Sequence, residues 1–243
     1  MREWSGKRYW LVGASEGLGR AVAERLSRMG VDLILSARSE DRLAELAASL
    51  PGRAQVVPVD VSDAASVAHA AEMAGDIDGF VYLAGLYWPM QSTQWDTEKA
   101  LTMIDVNFTG AVRCLGHVIP AMTEGGAGHI VLTGSLSAYR GLPGAVGYSA
   151  SKAATASLAD TLDLDLKDTG VEVQIIHPGY IRTRLTNKND FTMPQIMEPD
   201  DAATAFVDAM AAGGFHAAFP APFAWFFRAA PFMPVWLFRR LLG

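Results

Sequence analysis

Tyr148 and Lys152 stand four residues apart in Gly147-Tyr148-Ser149-Ala150-Ser151-Lys152-Ala153-Ala154. On a helix that spacing places both side chains on one face. A free tyrosine keeps its proton to about pH 10, so alone it is a poor acid or base at neutrality. An ammonium one turn away favours the phenolate and moves the phenol toward useful acid–base chemistry. The same pair on a solvated helix would be two ordinary surface side chains, so the surroundings decide.

A second chemical signal lies near the N-terminus, in Gly13-Ala14-Ser15-Glu16-Gly17-Leu18-Gly19. It follows the apolar run Tyr9 to Val12 and leads into an amphipathic stretch from Leu18 to Met29. Gly13 suits a tight turn, Gly17 a close approach of backbone to a pyrophosphate, and Gly19 close packing of helix on strand. The helix start offers free N–H groups and a positive dipole end to phosphates, with Ser15, Glu16 and Leu18 in the same contact set. A plain strand-to-helix turn would read similarly, but its place after the first strand favours a dinucleotide. The second strand ends Leu35-Ser36-Ala37-Arg38, where an NAD site would carry an acid against the ribose 2′-hydroxyl. Arg38 instead suits a 2′-phosphate, so NADP is expected, with NAD as the alternative. Glu16 in the loop works against that reading.

These residues need a scaffold, and the alternation of apolar runs with helical stretches supplies one. Strands are expected at Tyr9–Val12, Val31–Leu35, Gln55–Val59, Gly79–Leu83, His129–Thr133, Val171–Ile176 and Phe215–Phe219. Helices are expected at Leu18–Met29, Glu40–Leu50, Ala64–Ala74, Thr97–Met122, Val146–Lys167 and Asp200–Ala212. Mostly apolar strands separated by helices specify an α/β fold, a doubly wound parallel sheet with helices on both faces. Pro58 inside the third strand tolerates only an edge position, which the order 3-2-1-4-5-6 provides, with the last strand as a seventh. The chain has 243 residues, half of them hydrophobic, and shows neither linker nor repeat. A single domain, 1–243, follows.

The net charge of −6 gives no sign of a nucleic-acid binder. One cysteine, Cys114, gives no disulfide framework, and His69, His117, His129 and His216 lack metal-ligand spacing. Met1 to Lys7 lacks the apolar run of a signal peptide, so a cytoplasmic protein is expected unless the C-terminus brings it to a membrane.

Taken in order over residues 9 to 183, the loop, the Tyr–Lys helix and the segments between them resemble the short-chain dehydrogenase/reductase family, in its short single-domain branch. That resemblance implies a Rossmann fold and an NAD(P)-dependent carbonyl–alcohol oxidoreductase. It places a catalytic serine at Ser135, thirteen residues before Tyr148, where it would polarise the substrate carbonyl; Ser137 has the wrong spacing. Asn107 matches the asparagine of a lysine-linked water relay, and Lys152 would hold the nicotinamide ribose. Asp60 and Val61 would meet the adenine, Ala84 and Gly85 would line the cofactor, and Pro178-Gly179 with Ile181 and Thr183 would reach the nicotinamide. An oxidised nicotinamide ring would join Lys152 in lowering the Tyr148 pKa. A homodimer or homotetramer built partly on the Tyr148 helix is implied as well.

Two positions depart from the family pattern. Val12 stands where threonine is usual, and Tyr82-Leu83-Ala84-Gly85 where the family has Asn-Asn-Ala-Gly, so a polar tie between strands one and four is expected to give way to apolar contact. Trp88 and Trp95 follow that segment and either flank the pocket or pack. By the same resemblance, residues 186–222 are expected to hold the substrate-covering region and the last strand. Phe191, Met193, Ile196 and Met197 within it hint at an apolar carbonyl or alcohol, although core packing would explain them equally. The tail 223–243 holds aromatics and Arg228, Arg239 and Arg240 but no acid. Its prolines break any spanning helix, leaving a lid, a subunit contact or peripheral membrane contact. A regulator of this fold that binds cofactor without turnover is the alternative to an enzyme.

Overall fold

The computed structural model describes residues 2–242. Seven strands run in the order β3-β2-β1-β4-β5-β6-β7, every pair parallel: β1 Arg8–Val12, β2 Asp32–Ser36, β3 Ala54–Val56, β4 Gly79–Tyr82, β5 Gly128–Thr133, β6 Val171–Pro178 and β7 His216–Phe219. Alternate side chains leave opposite faces of a strand, and here both faces are covered. Leu11, Leu33, Leu35, Val81, Val131 and Ile176 bury on one face against α1 (Gly17–Arg28), α2 (Glu40–Ser49) and α7 (Pro199–Ala212). Trp10, Ile34, Phe80, Tyr82, Ile130 and Ile175 bury on the other, against α3 (Ala64–Ala74), α5 (Gly110–Gly125) and α6 (Val146–Leu166). The expected α/β architecture is therefore present, strand order included.

The edge near β3 is held by side chains as well as by its ladder. The Ser36 hydroxyl donates to the Val57 carbonyl (2.5 Å) and accepts from the Trp10 indole N–H (2.8 Å). The expected third strand is longer than the regular one, and Pro58 lies beyond its end. Val57 and Val59 still donate to the Leu35 and Ala37 carbonyls, so Pro58 between them faces outward, where its missing N–H costs nothing.

One helix assignment changes. The expected helix Thr97–Met122 is interrupted: α4 (Thr97–Ile104) passes through a π-helical turn at Asp105–Thr109 into α5. Such widened turns are rare and concentrate at functional sites. Helix α3 spans the expected Ala64–Ala74 and is capped by Asp63, whose carboxylate accepts from Ala65 N–H (2.9 Å).

At the sheet end opposite the glycine-rich loop, Tyr9 donates to His129 Nδ1 (2.9 Å), and His129 donates from Nε2 to Gln174 Oε1 (2.8 Å). Gly79 on the intervening β4 makes room, since a Cβ there would collide with the Tyr9 ring. Burial pushes His129 down to about 3 and His177 down to about 4, from 6.5. Both must stay neutral in the fold, while the unfolded chain takes up protons near 6.5. Their contribution is complete above that value and is lost as pH falls toward the folded values, by about 2 kcal/mol for each between pH 7 and 5. Thermal unfolding should therefore show a midpoint that drops over this range. His129→Gln, which cannot titrate, should be less stable at pH 7 and should show a shallower drop.

Candidate active site

The C-terminal ends of the parallel strands form one rim, and the loops leaving it enclose a cleft of about 790 Å³. Open α/β sheets bind ligands at this rim, where the winding reverses between β1 and β4. Gly13 turns there at φ +99°, a conformation that side chains disfavour, with the backbone of Leu83 and Ala84 packed against the space a Cβ would fill. Helix α1 begins without a capping side chain, so its first N–H groups have no side-chain acceptor. That is the arrangement a pyrophosphate needs.

Every residue expected to contact the cofactor lines this cleft: Gly13, Ser15, Glu16, Gly17, Leu18 and Gly19 from the loop, Arg38 after β2, Asp60 and Val61 after β3, and Ala84 and Gly85 after β4. Tyr148 and Lys152 join from α6, and Pro178, Gly179, Ile181 and Thr183 from the end of β6. Arg38 is exposed, and its guanidinium makes no hydrogen bond among the described residues. Glu16, which argued against a phosphate, is drawn between Arg42 (2.8 Å) and Arg184 (2.6 Å). Arg42 was not anticipated from the sequence; it lies in the first turn of α2 and lines the same cleft as Arg38. Asp60 accepts from the Ser62 hydroxyl (2.6 Å) and backbone N–H (3.0 Å), which hold its carboxyl below the usual range. The cleft thus has the backbone donors and shape that a nicotinamide dinucleotide requires.

A smaller cavity of about 100 Å³ shares Tyr148, Pro178 and Gly179 with the cleft. Ser135 and Ser137 line it, and its other walls are Tyr87, Leu136, Leu142, Pro143, Ala145, Tyr180, Leu185, Thr186, Asn189, Phe191, Phe223 and Phe227. None of them is charged. Ser137 donates its hydroxyl to Ser135 Oγ (3.0 Å), as does its backbone N–H (3.2 Å), leaving the Ser135 proton free to turn toward the cavity. His177, immediately before Pro178-Gly179, donates from Nδ1 to the Ser135 carbonyl (2.9 Å) and stacks on His216 at 4.6 Å. Only its adjacency to that dipeptide in the sequence hinted at this supporting place.

Burial pushes the Tyr148 phenol above its ordinary range, against the Ser135 hydroxyl, which pulls it down. The expected lowering by Lys152 is not found in the protein alone. Lys152 Nζ stands 5.9 Å from the Tyr148 ring centroid and donates to the Thr133 carbonyl (2.8 Å). Burial brings the Lys152 ammonium down to about 8.

Asn107 is fully buried in the π-helical turn. Its Oδ1 accepts from Leu86 N–H (2.6 Å), and its amide donates to the Leu86 carbonyl (2.9 Å) and Ser151 Oγ (3.0 Å). Both side-chain donors are committed, so the residue ties the loop after β4 to α6.

The departure at Tyr82 is not purely apolar contact. Its hydroxyl donates to the Val106 carbonyl in the π-helical turn (2.6 Å), while toward β1 Tyr82 packs with Val12 in the apolar core and only the backbone bond from Leu83 N–H to the Val12 carbonyl (2.7 Å) crosses there. Trp88 lines the cleft under Lys188, whose ammonium lies 4.9 Å from its ring, whereas Trp95 is exposed. Of the apolar residues in the covering segment, Phe191 reaches the small cavity. Met197 packs on the sheet core and pairs with Ile181, and Met193 and Ile196 do not line the cavity.

Comparison with known proteins gives the same direction. The short chain dehydrogenase family model matches residues 7–193. An uncharacterized oxidoreductase of Myxococcus xanthus is 35% identical over 245 residues, covering 98% of this chain and 97% of its own length. One from Staphylococcus saprophyticus is 36% identical over 208 residues, covering 82% of this chain and 89% of its own. Among solved structures, a short chain dehydrogenase from Burkholderia cenocepacia in complex with NADP superposes with a TM-score of 0.89 at 25% identity, covering all of both chains. A short-chain dehydrogenase from Sphingobium yanoikuyae in complex with NADPH gives 0.84 at 29% identity, covering 92% of each. With the strand order, the glycine-rich turn and the Tyr–Lys helix in place, the chain belongs to the short chain dehydrogenase family and is an NAD(P)-dependent dehydrogenase/reductase.

Proposed function

We propose that the protein reduces a neutral, apolar aldehyde or ketone to its alcohol with NADPH. One observation carries the reading: Ser135 and Tyr148 face a cavity without a charged wall residue, which opens onto the dinucleotide cleft. Uncharged walls reject carboxylates and phosphates, whose desolvation nothing there would offset. The bound cofactor supplies the hydride. Ser135 donates to the carbonyl oxygen and polarises it, and Tyr148 delivers the proton to that oxygen. Lys152 binds the nicotinamide ribose and offsets negative charge on Tyr148 as the proton leaves. Asn107 is a positioning residue, tying Leu86 to Ser151 beside the water relay that the family resemblance implies.

The preference for NADP rests on exposed Arg38 beside Arg42, with no acid at the end of β2 and Glu16 occupied by two other arginines. The NADP and NADPH complexes of similar proteins support it. In this account the chain is one domain, with 186–222 covering the substrate cavity through Thr186, Asn189 and Phe191. Self-association through α6 is part of the same reading, implied by the family resemblance, and Leu164, exposed on that helix, is the position that probes it.

Tyr148→Phe should lower carbonyl reduction about 10²–10⁴-fold, the worth of a general acid, while NADPH binding measured by fluorescence persists. Retention of more than about a tenth of the rate would overturn the assignment. Arg38→Asp should shift the ratio of kcat/KM values from NADPH toward NADH, because it removes the phosphate partner and adds an acceptor for the 2′-hydroxyl. A wild type already preferring NADH would contradict that reading. Leu164→Asp should convert the oligomer to monomer in light scattering, and an unchanged mass would remove α6 from the interface.

A further inference from the structure

The C-terminal tail is a folded plate with two unlike sides. It comprises α8 (Phe223–Ala229), a short 3₁₀ turn at Ala230–Phe232 and α9 (Val235–Leu242). On the inner side, Ala224 and Phe227 are buried against Leu136, and Phe223 and Phe227 wall the substrate cavity. Arg140 fixes the plate by donating to the Ala230 (2.6 Å) and Met233 (2.8 Å) carbonyls, with its guanidinium 4.2 Å from the Phe238 ring centroid. The aromatics of the outer side are therefore held outward rather than left over from loose packing.

That outer side exposes Phe232 at 89%, Trp225 at 67% and Trp236 at 67%, with Val235 and Leu241 also exposed. Single exposed apolar residues are ordinary, but five within seventeen positions, three of them large aromatics, make an interaction surface. Arg228, Arg239 and Arg240 are exposed on the same segment, which holds no acid, on a chain of net charge −6. Arg239 and Arg240 lie three and four residues after Trp236, so they flank it on the α9 surface.

We infer that this plate docks on an anionic lipid surface, with Trp225, Phe232 and Trp236 entering the interface and the three arginines meeting the headgroups. Aromatic wedges beside basic side chains are what interfacial binding requires. A two-fold contact between copies would bring the arginines of one plate against those of another, so charge disfavours that occupant. No described helix is long and apolar enough to cross a membrane, which leaves a surface contact. The acidic remainder of the chain is repelled by the same lipid, which orients the molecule plate-down. Phe223 and Phe227 then place the cavity wall directly behind the docked face, giving an apolar substrate a short path from the bilayer. That last consequence rests on the proposed substrate class, whereas the docking does not.

The full-length protein tests the inference by co-sedimentation, without any carbonyl present, so the outcome is independent of whether the substrate reading holds. It should partition onto vesicles of phosphatidylcholine and phosphatidylglycerol at low salt, and weakly onto phosphatidylcholine alone. Added salt should weaken partitioning as the Debye length shrinks. The double change Phe232→Ser and Trp236→Ser, and separately Arg239→Gln with Arg240→Gln, should each reduce partitioning about tenfold or more while NADPH binding and circular dichroism stay those of wild type. Because all four side chains are exposed, the variants should fold, and the arginine pair serves if the aromatic pair does not. Absence of sedimentation on anionic vesicles at low salt, or sedimentation unaffected by both pairs, overturns the inference. So does concentration-dependent self-association that the aromatic pair abolishes without any vesicle binding.

Discussion

A protonated lysine inside a protein is stable only where dipoles or charges replace its lost water, and Lys152 is such a group. It is 4% exposed, its Nζ reaches the Thr133 carbonyl, and burial alone brings its pKa down to about 8. One hydrogen bond to a neutral carbonyl compensates only part of that burial, since an ammonium carries three donors. The other two remain at the wall of the dinucleotide cleft, where ribose hydroxyls would complete its shell. The raised phenol of Tyr148 has the same cause, burial, against the downward pull of the Ser135 hydroxyl.

The rest of the architecture keeps that lysine and its neighbours in register. Thr133 is the last residue of β5, so the carbonyl that holds Lys152 is fixed by the sheet. Ser135 follows two residues later and is tied from behind by His177 at the end of β6. Asn107 fastens the loop after β4 to Ser151 on the Tyr148 helix, from a widened turn in the helical stretch between α4 and α5. Parallel strands ending at one rim bring these contributions, far apart in the chain, to one small volume.

Much of this was legible because the relevant signals are local. The glycine spacing, the Tyr–Lys interval and the apolar strand runs each depend on neighbouring residues, and a proline suited to an edge supported the doubly wound strand order. Contacts between distant segments were not legible. Nothing near Glu16 announces that Arg184 will neutralise it, and nothing near Tyr82 shows that its hydroxyl will meet the Val106 carbonyl. The interruption of the long helix escaped for a related reason. Periodicity marks an amphipathic run but does not register a single extra residue in one turn. The covering segment misled in part because apolar composition cannot separate Phe191, at the cavity, from Met197, in the core.

The central claim is that these residues carry out carbonyl chemistry rather than merely hold a dinucleotide. The direct measurement is wild-type NADPH consumption with a panel of neutral apolar aldehydes and ketones, together with quantification of the alcohol formed. The account predicts that at least one carbonyl is converted, with one alcohol produced for each NADPH consumed. Tight NADPH binding without turnover of any carbonyl would contradict it and would favour a cofactor-binding regulator.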